Sequence, residues 1–241
     1  MKRVFDVFFA LFVLVFVCLP IIILALIIFL QDFRSPIYVA ERVGVNGKKF
    51  KMFKLRSMVV DAELTGVVST SSDDKRVTSV GAFCRRYKLD ELPQLFNVVI
   101  GNMSLVGPRP NVFAETSLYT KAEETLLSLK PGITDFSSIV FSDEGEILSG
   151  KANPNLAYNQ LIRPRKSALG IVYCNHSGVI LDIRIIIITV VALFSRENAL
   201  RMVSELLASL GVSKDLVMMS LRDKPLTPQA PPGTNQIVTS R

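Results

Sequence analysis

The 241-residue chain contains no tryptophan, one histidine and three cysteines. Cys18, Cys84 and Cys174 stand far apart, with neither the pairing of a disulfide framework nor zinc-ligand spacing, so a reducing compartment is the simplest reading. His176 has no histidine or cysteine partner at ligand spacing, which leaves it a structural role. No internal repeat is present. No basic-aromatic module accompanies the positive charge, so nucleic acid is disfavoured as a partner. A cleaved signal peptide is also disfavoured, because the first apolar run is too long and no small-residue cleavage site follows it.

What remains is apolar and basic. Hydrophobic residues make up 49% of the chain, the mean hydropathy is +0.39, and the formal charge is +7. That balance suits an anionic partner such as an acidic membrane surface or a phosphorylated small molecule. From Val4 to Leu30 only Asp6 is charged, and the run is long enough to span a bilayer core. Two features oppose a single crossing. Pro20 lies near the middle, where it removes a backbone donor and should bend or break the helix at Leu19-Pro20. Lys2 and Arg3 precede the run, while Arg34, Arg42, Lys48, Lys49, Lys51, Lys54 and Arg56 follow it, so both flanks belong on the cytoplasmic side. A re-entrant hairpin satisfies both features.

Residues 36–58, PIYVAERVGVNGKKFKMFKLRSM, alternate around Asn46-Gly47 and predict a two-stranded hairpin with a basic second strand. Residues 60–80 are polar and read as a mobile loop able to close over a site. Leu89, Leu92, Leu95, Phe96 and Val99 fall at helical spacing up to Gly101. Another helix is expected from about 115 to 129, ahead of the KPGIT turn. Residues 155–170 have a basic amphipathic pattern. Residues 179–194 read as a buried helix or strand, or as an interfacial helix flat on a membrane. The Pro-rich end, 224–241, reads as a disordered tail.

The chemistry concentrates in KLDELPQLFNVVIGNMSLVGPRP, residues 88–110. Pro93 is tolerated only in a first turn, which places Asp90 and Glu91 at a helix start, where amides and macrodipole favour phosphate. A hard divalent ion shared with phosphate oxygens would offset the repulsion between the two carboxylates. One carboxylate then suits a nucleophile and the other an ion ligand or base. A plain dipole-stabilising cap explains the same pair. In Gly107-Pro108-Arg109-Pro110, two prolines stiffen the turn that carries Arg109, preparing its guanidinium for bidentate phosphate contact. Lys54, Arg56, Arg85 and Arg86 add positive charge, readable equally as a membrane-facing surface.

The order of N-terminal hairpin, FKMFKLRSM, LDELPQLFNVVIGNMSLVGPRP and KPGIT resembles the bacterial sugar transferases known as monotopic phosphoglycosyl transferases. The similarity runs from residue 1 to about 135, and more loosely to 195. It implies an α/β, helix-rich fold, with a re-entrant membrane helix-break-helix (1–34) and a compact cytoplasmic catalytic domain with amphipathic interfacial helices (35–200); beyond these the sequence reads as a helical extension (201–223) and the tail (224–241). It implies transfer of a phospho-sugar from a UDP-sugar to polyprenyl (undecaprenyl) phosphate, with release of UMP, to start cell-surface glycan assembly. The setting it implies is the cytoplasmic face of the bacterial inner membrane, with membrane lipid and a second copy of the chain as further partners. By the same resemblance Asp90 is the nucleophile of a covalent intermediate and Glu91 its partner. Mg²⁺ assists, with Asp90 and Glu91 as its ligands, while Lys54, Arg56, Arg85 and Arg109 hold phosphates or nucleotide. The family's helix break is usually Ser-Pro, and here it is Leu19-Pro20. After Thr134 many members continue Gly-Trp-Ala-Gln-Val-Asn-Gly-Arg, whereas this chain has DFSSIVFSDEGEIL, with Ser138 and Ser142 in place of the Gln and Arg. Asp143, Glu144 and Glu146 in this segment are candidates for sugar hydroxyls, or else a solvated acidic loop. Two rival functions are a membrane-bound nucleotide-sugar hydrolase and a non-catalytic basic membrane scaffold for glycan enzymes.

Overall fold

The structure is a computed structural model and describes residues 1–62 and 74–239. Most of the loop expected over 60–80 therefore lies outside the described residues. The chain opens with a 31-residue helix, α1 (Lys2–Asp32). A hairpin follows, β1 (Ile37–Val43) and β2 (Lys49–Leu55), antiparallel with Val43 opposite Lys49 and Ile37 opposite Leu55. The Asn46-Gly47 turn was legible for a physical reason: both residues take positive φ, 55° and 73°.

Next come α2 (Ser79–Arg86), α3 (Gln94–Ile100), β3 (Ser104–Val106), α4 (Phe113–Thr116) and β4 (Gly132–Thr134). Strands β3 and β4 form a second, parallel pair. The rest is helical: α5 (Phe136–Val140), α6 (Glu144–Leu148), α7 (Pro154–Ala157), α8 (Arg163–His176), α9 (Val179–Phe194), α10 (Arg196–Ser209) and α11 (Lys214–Ser220). A π-helical turn over Tyr158–Ile162 joins α7 to α8. The fold is helix-rich with two small sheets, and its main core gathers Val98, Val106, Phe136, Ile162, Leu169, Ile185 and Leu207.

Helix α1 lies along this domain. Ala10, Ile21 and Ile28 are buried, and Val13, Leu14, Val17, Leu24 and Ala25 pack beside them at three-to-four-residue spacing. The opposite stripe, including Phe8, Phe12, Val15, Leu19, Ile23, Leu26 and Leu30, is exposed. The helix has a contour of roughly 46 Å at the standard rise, and both of its ends are fastened to one domain. At the start, Arg3 donates to the carbonyls of Val98 and Val99 at the end of α3, and Lys2 pairs with Asp182 of α9. At the finish, Arg56 after β2 donates to Asp32 at 2.6 Å and to the Ile28 carbonyl at 3.3 Å.

Several expectations are corrected. The helix continues through Pro20 as one element, with Leu19 and Pro20 on its exposed side, where a helix-break-helix was expected. Packing of the same stripe before and after Pro20 holds both halves on the domain, which offsets the missing donor. The helix expected over 115–129 is two pieces, α4 and a 3-10 segment over Glu123–Leu127. The Glu123 side chain accepts from the Thr120 amide and from Arg163, turning the chain between them. The C-terminal residues expected to be disordered lie as an extended strap. Arg165 donates to the Thr227 carbonyl at 2.9 Å, the Gln229 amide to the Gln160 carbonyl at 3.0 Å, and Gln160 to the Val238 carbonyl at 2.7 Å.

Candidate active site

The site forms where β2, α2, the turn before α3 and the Gly-Pro-Arg-Pro turn meet. Asn97 of α3 clamps β2 from the side, accepting from the Phe53 amide at 2.9 Å and donating to the Lys51 carbonyl at 2.7 Å. That clamp sets Lys54 beside the residues preceding α3. Helix α2 approaches the end of β2 so closely that a Cβ at Gly81 would fall 1.9 Å from the Ser57 carbonyl oxygen, and only glycine fits. The approach brings Arg85 to Ser57, whose hydroxyl accepts from Nε at 2.8 Å. At the β3–β4 pair, Gly107 and Gly132 pass with no room for a Cβ on either. Pro108 and Asn111 are then fixed by backbone bonds to Gly132 and Val43, at 3.0 and 2.9 Å, so the turn carrying Arg109 is held at both ends.

Asp90 and Glu91 are in a 3-10 turn, Leu89–Glu91, entered through Lys88 in the left-handed region at φ 57°. Helix α3 begins only at Gln94, after Pro93. The pair thus precedes the helix rather than opening it, and a seven-residue helix gives little dipole to a phosphate there. What the turn does is separate the two carboxylates. Both residues are buried, Asp90 at 6% exposure and Glu91 at 8%. Glu91 Oε1 accepts from Lys54 Nζ at 3.0 Å and from Arg109 Nη2 at 2.8 Å. Asp90 makes no hydrogen bond or ion pair among the described residues.

The electrostatics follow that division. Burial and the neighbouring Glu91 charge push the Asp90 carboxyl above the ordinary aspartate range, against the pull of Lys54, Arg85 and Lys88. Glu91 is held well below its usual value: burial opposes this, but Arg109, Lys54 and Lys88 together outweigh it. Glu91 in turn raises Arg109. Burial lowers Lys88 and Arg85, although the nearby carboxylates favour their charged forms. The result is one firmly ionised, paired carboxylate beside one unpaired and more basic carboxylate.

Of the six residues singled out from sequence, five converge here: Asp90, Glu91, Lys54, Arg85 and Arg109. Arg56 is directed elsewhere, to Asp32 and the end of α1. Lys88 was missed, and its one signal is its place beside Leu89-Asp90. Glu144 reaches the site from α6: half-buried, it pairs with Lys166, and its carboxylate is held down by Lys166, Arg109 and Lys88 against the cost of desolvation. Asp143 instead takes Arg196 at 2.9 Å and Arg222 at 3.0 Å.

The family profile described as bacterial sugar transferase matches residues 1–196. The chain belongs to that family. An exopolysaccharide production protein PSS of Rhizobium leguminosarum is 32% identical over 207 residues, which covers 81% of this chain and 96% of the relative. A Bacillus subtilis protein, provisionally named an undecaprenyl-phosphate N-acetylgalactosaminyl 1-phosphate transferase, is 51% identical over 116 residues, covering 47% of this chain and 65% of its own. The UDP-glucose:undecaprenyl-phosphate glucose-1-phosphate transferase of Escherichia coli is 38% identical over 142 residues, covering 58% of this chain and 31% of its own. The Escherichia coli protein is much longer, and the chain spans about a third of its length.

Proposed function

We propose that the chain transfers a phospho-sugar from a UDP-sugar to polyprenyl (undecaprenyl) phosphate, releasing UMP, through a covalent intermediate on Asp90. The observation that carries this reading is the division within the dyad: Asp90 is buried, unpaired and raised in basicity, while Glu91 holds two cations in place beside it. A structural carboxylate at such burial would be expected to have partners. The names of the relatives supply the class of reaction, and their shared acceptor is undecaprenyl phosphate.

In the first step an Asp90 carboxylate oxygen attacks the sugar-bearing phosphorus. The bond from that phosphorus to the bridging oxygen breaks, and UMP leaves with the electron pair. In the second step a phosphate oxygen of the lipid attacks the same phosphorus and frees Asp90. Arg109 and Lys54 turn from Glu91 toward phosphate oxygens as these arrive, and Arg85 adds charge at the Asp90 side. Glu91 keeps both cations in position between turnovers. Because the raised Asp90 is the stronger nucleophile of the two, the covalent bond forms there.

The donor set fits the expected Mg²⁺. Among the described residues no group of three His, Cys, Asp or Glu side chains could hold a metal ion, and Mg²⁺ characteristically takes one or two carboxylates plus phosphate oxygens and water. Asp90, with no protein partner, and Glu91 would hold it, and the ion would neutralise charge developing on the diphosphate.

Placement at a membrane surface is supported by α1. It is long and apolar enough to cross a membrane by length and composition, yet both ends are tied to one domain. That arrangement favours a helix seated at one membrane face with both ends on the same side, which the basic flanks make the cytoplasmic face of the inner membrane. The exposed stripe Ile180, Ile183, Ile187, Val190 and Phe194 on α9 suits a helix lying in the interface. The test is UMP release from a panel of UDP-sugars, with and without polyprenyl phosphate. Turnover that needs the lipid supports transfer. Multiple turnovers without it mean hydrolysis, and no UMP from any donor sinks both.

A further inference from the structure

Residues 135–150 are where the chain leaves the family pattern, yet they fold back onto the phosphate site. The structure sorts their three acidic candidates. Asp143 Oδ2 is taken by both Arg196 and Arg222, while its Oδ1 is enclosed by the protein. The Glu146 side chain is exposed. Glu144 points the other way from Asp143, as neighbouring residues entering a helix must, and pairs with Lys166. Lys166 itself lies 5.7 Å from the centroid of the Tyr158 ring. Tyr158 is 9% exposed and sits in the π-helical turn before α8.

Two physical points restrict what Glu144 can meet. A carboxylate repels phosphate, so it faces an uncharged part of the donor. The Tyr158 ring beside Glu144 is buried under Lys166 and offers a base no open face to stack on. Hydroxyl donors are found on the ribose and on the transferred sugar, and the transferred sugar hangs from the phosphorus that Asp90 attacks, close to the Arg109 and Lys88 charges that act on Glu144. Resting on the transferase reading above, we propose that Glu144, oriented by Lys166 over Tyr158, is a specificity-determining residue that accepts hydrogen bonds from the hydroxyls of the donor sugar. A site built to bond a hydroxyl rejects analogues that lack it or present it elsewhere, because its own polar group is then left unpaired. Glu144 also sets like charge against any sugar that carries a carboxylate.

The test compares kcat/KM for UMP release from UDP-glucose, UDP-galactose, their two N-acetylhexosamine counterparts and UDP-glucuronate, with undecaprenyl phosphate as acceptor. The wild type should discriminate among them, with glucuronate poorest. Glu144→Gln keeps the size but removes the charge, and should compress the ratio of best to worst donor by about tenfold. Lys166→Met should change the ratio in the same direction by a smaller factor, since Glu144 loses its orientation. A fall by one common factor for every donor, or an unchanged ratio in both variants, overturns the assignment and leaves the transferase reading standing. No UMP from any donor with the wild-type protein overturns both.

Discussion

Among the buried carboxylates of this fold, two pairs invite comparison, Asp6 and Asp182 beneath α1 and Asp90 and Glu91 beside Arg109. Under α1, Asp182 accepts from Tyr173 at 2.6 Å and pairs with Lys2, while Asp6 accepts from the Ser104 hydroxyl at 2.8 Å and the Leu105 amide at 3.3 Å. Every charge there has a protein partner, and the cluster fastens α1 to β3, α8 and α9. Beside Arg109, Glu91 is equally well supplied, but the Asp90 carboxylate has no hydrogen-bond or ion-pair partner among the described residues. Burial is common to both pairs, so burial alone does not mark a site. What sets Asp90 apart is a largely buried carboxylate to which no described residue donates a hydrogen bond, an arrangement that costs stability unless a ligand completes it.

Substituting one aspartate from each pair separates them most sharply. Asp90→Asn should lower turnover by roughly 10³ or more, since the amide is a far poorer nucleophile. Its melting temperature should hold or rise, because a buried, unpaired charge is gone. Asp182→Asn should do the reverse, costing about 2–3 kcal/mol as Lys2 and Tyr173 lose a charged acceptor, with turnover per folded molecule little changed. Denaturation curves and initial rates on both proteins decide it. Equal loss of stability in the two would erase the distinction.

The arginines give the next contrast. Arg109 shares Glu91 with Lys54 in a turn fixed at both ends, whereas Arg56 ties the end of β2 to the end of α1. Arg109→Ala should lower kcat/KM about 10²-fold, the usual scale for losing one cationic or hydrogen-bonding contact to the transition state. Arg56→Ala should lower stability by about 1 kcal/mol and leave kcat/KM within a few-fold. If Arg56→Ala matches Arg109→Ala in rate, Arg56 swings to phosphate during turnover, as its place in FKLRSM had suggested.

The smallest effect is the dependence on pH. Asp90 is raised in the folded state, so its contribution to stability is present at acid pH and lost as pH rises through the raised value. Asp90→Asn should remove that slope. Catalysis needs the ionised form, so kcat/KM should fall as pH drops through the same value, above the ordinary aspartate range. Glu91→Gln removes the nearest like charge and should move the acid limb to lower pH. An acid limb unmoved in Glu91→Gln would mean that another group sets it.

Sequence reasoning reached the parts governed by local chemistry. Asn46-Gly47 specified the hairpin, and Gly107-Pro108-Arg109-Pro110 announced a stiff turn carrying a cation. It missed what depends on distant contacts. Lys88 enters the left-handed region only because the turn at Leu89–Glu91 requires it. Glu144 meets Lys166 across 22 positions, and nothing local in either residue signals the meeting. Arg56 was grouped with Lys54 by proximity in sequence, but neighbouring positions around a strand end face different partners. The C-terminal strap reads as disordered by composition, and its order comes from carbonyls accepting from Arg165 and Gln160.

The central claim is that the unpaired carboxylate, and not its paired neighbour, carries the phospho-sugar. The most direct measurement is intact and peptide mass after incubating the protein with a UDP-sugar alone. The account predicts UMP in at most stoichiometric amount and a phospho-sugar mass on Asp90, within the peptide containing residues 88–92. That mass should disappear on adding polyprenyl phosphate. A mass on Glu91 would reverse the roles of the dyad, and UMP that appears only when both substrates are present, with no adduct at any time, would contradict the covalent route altogether.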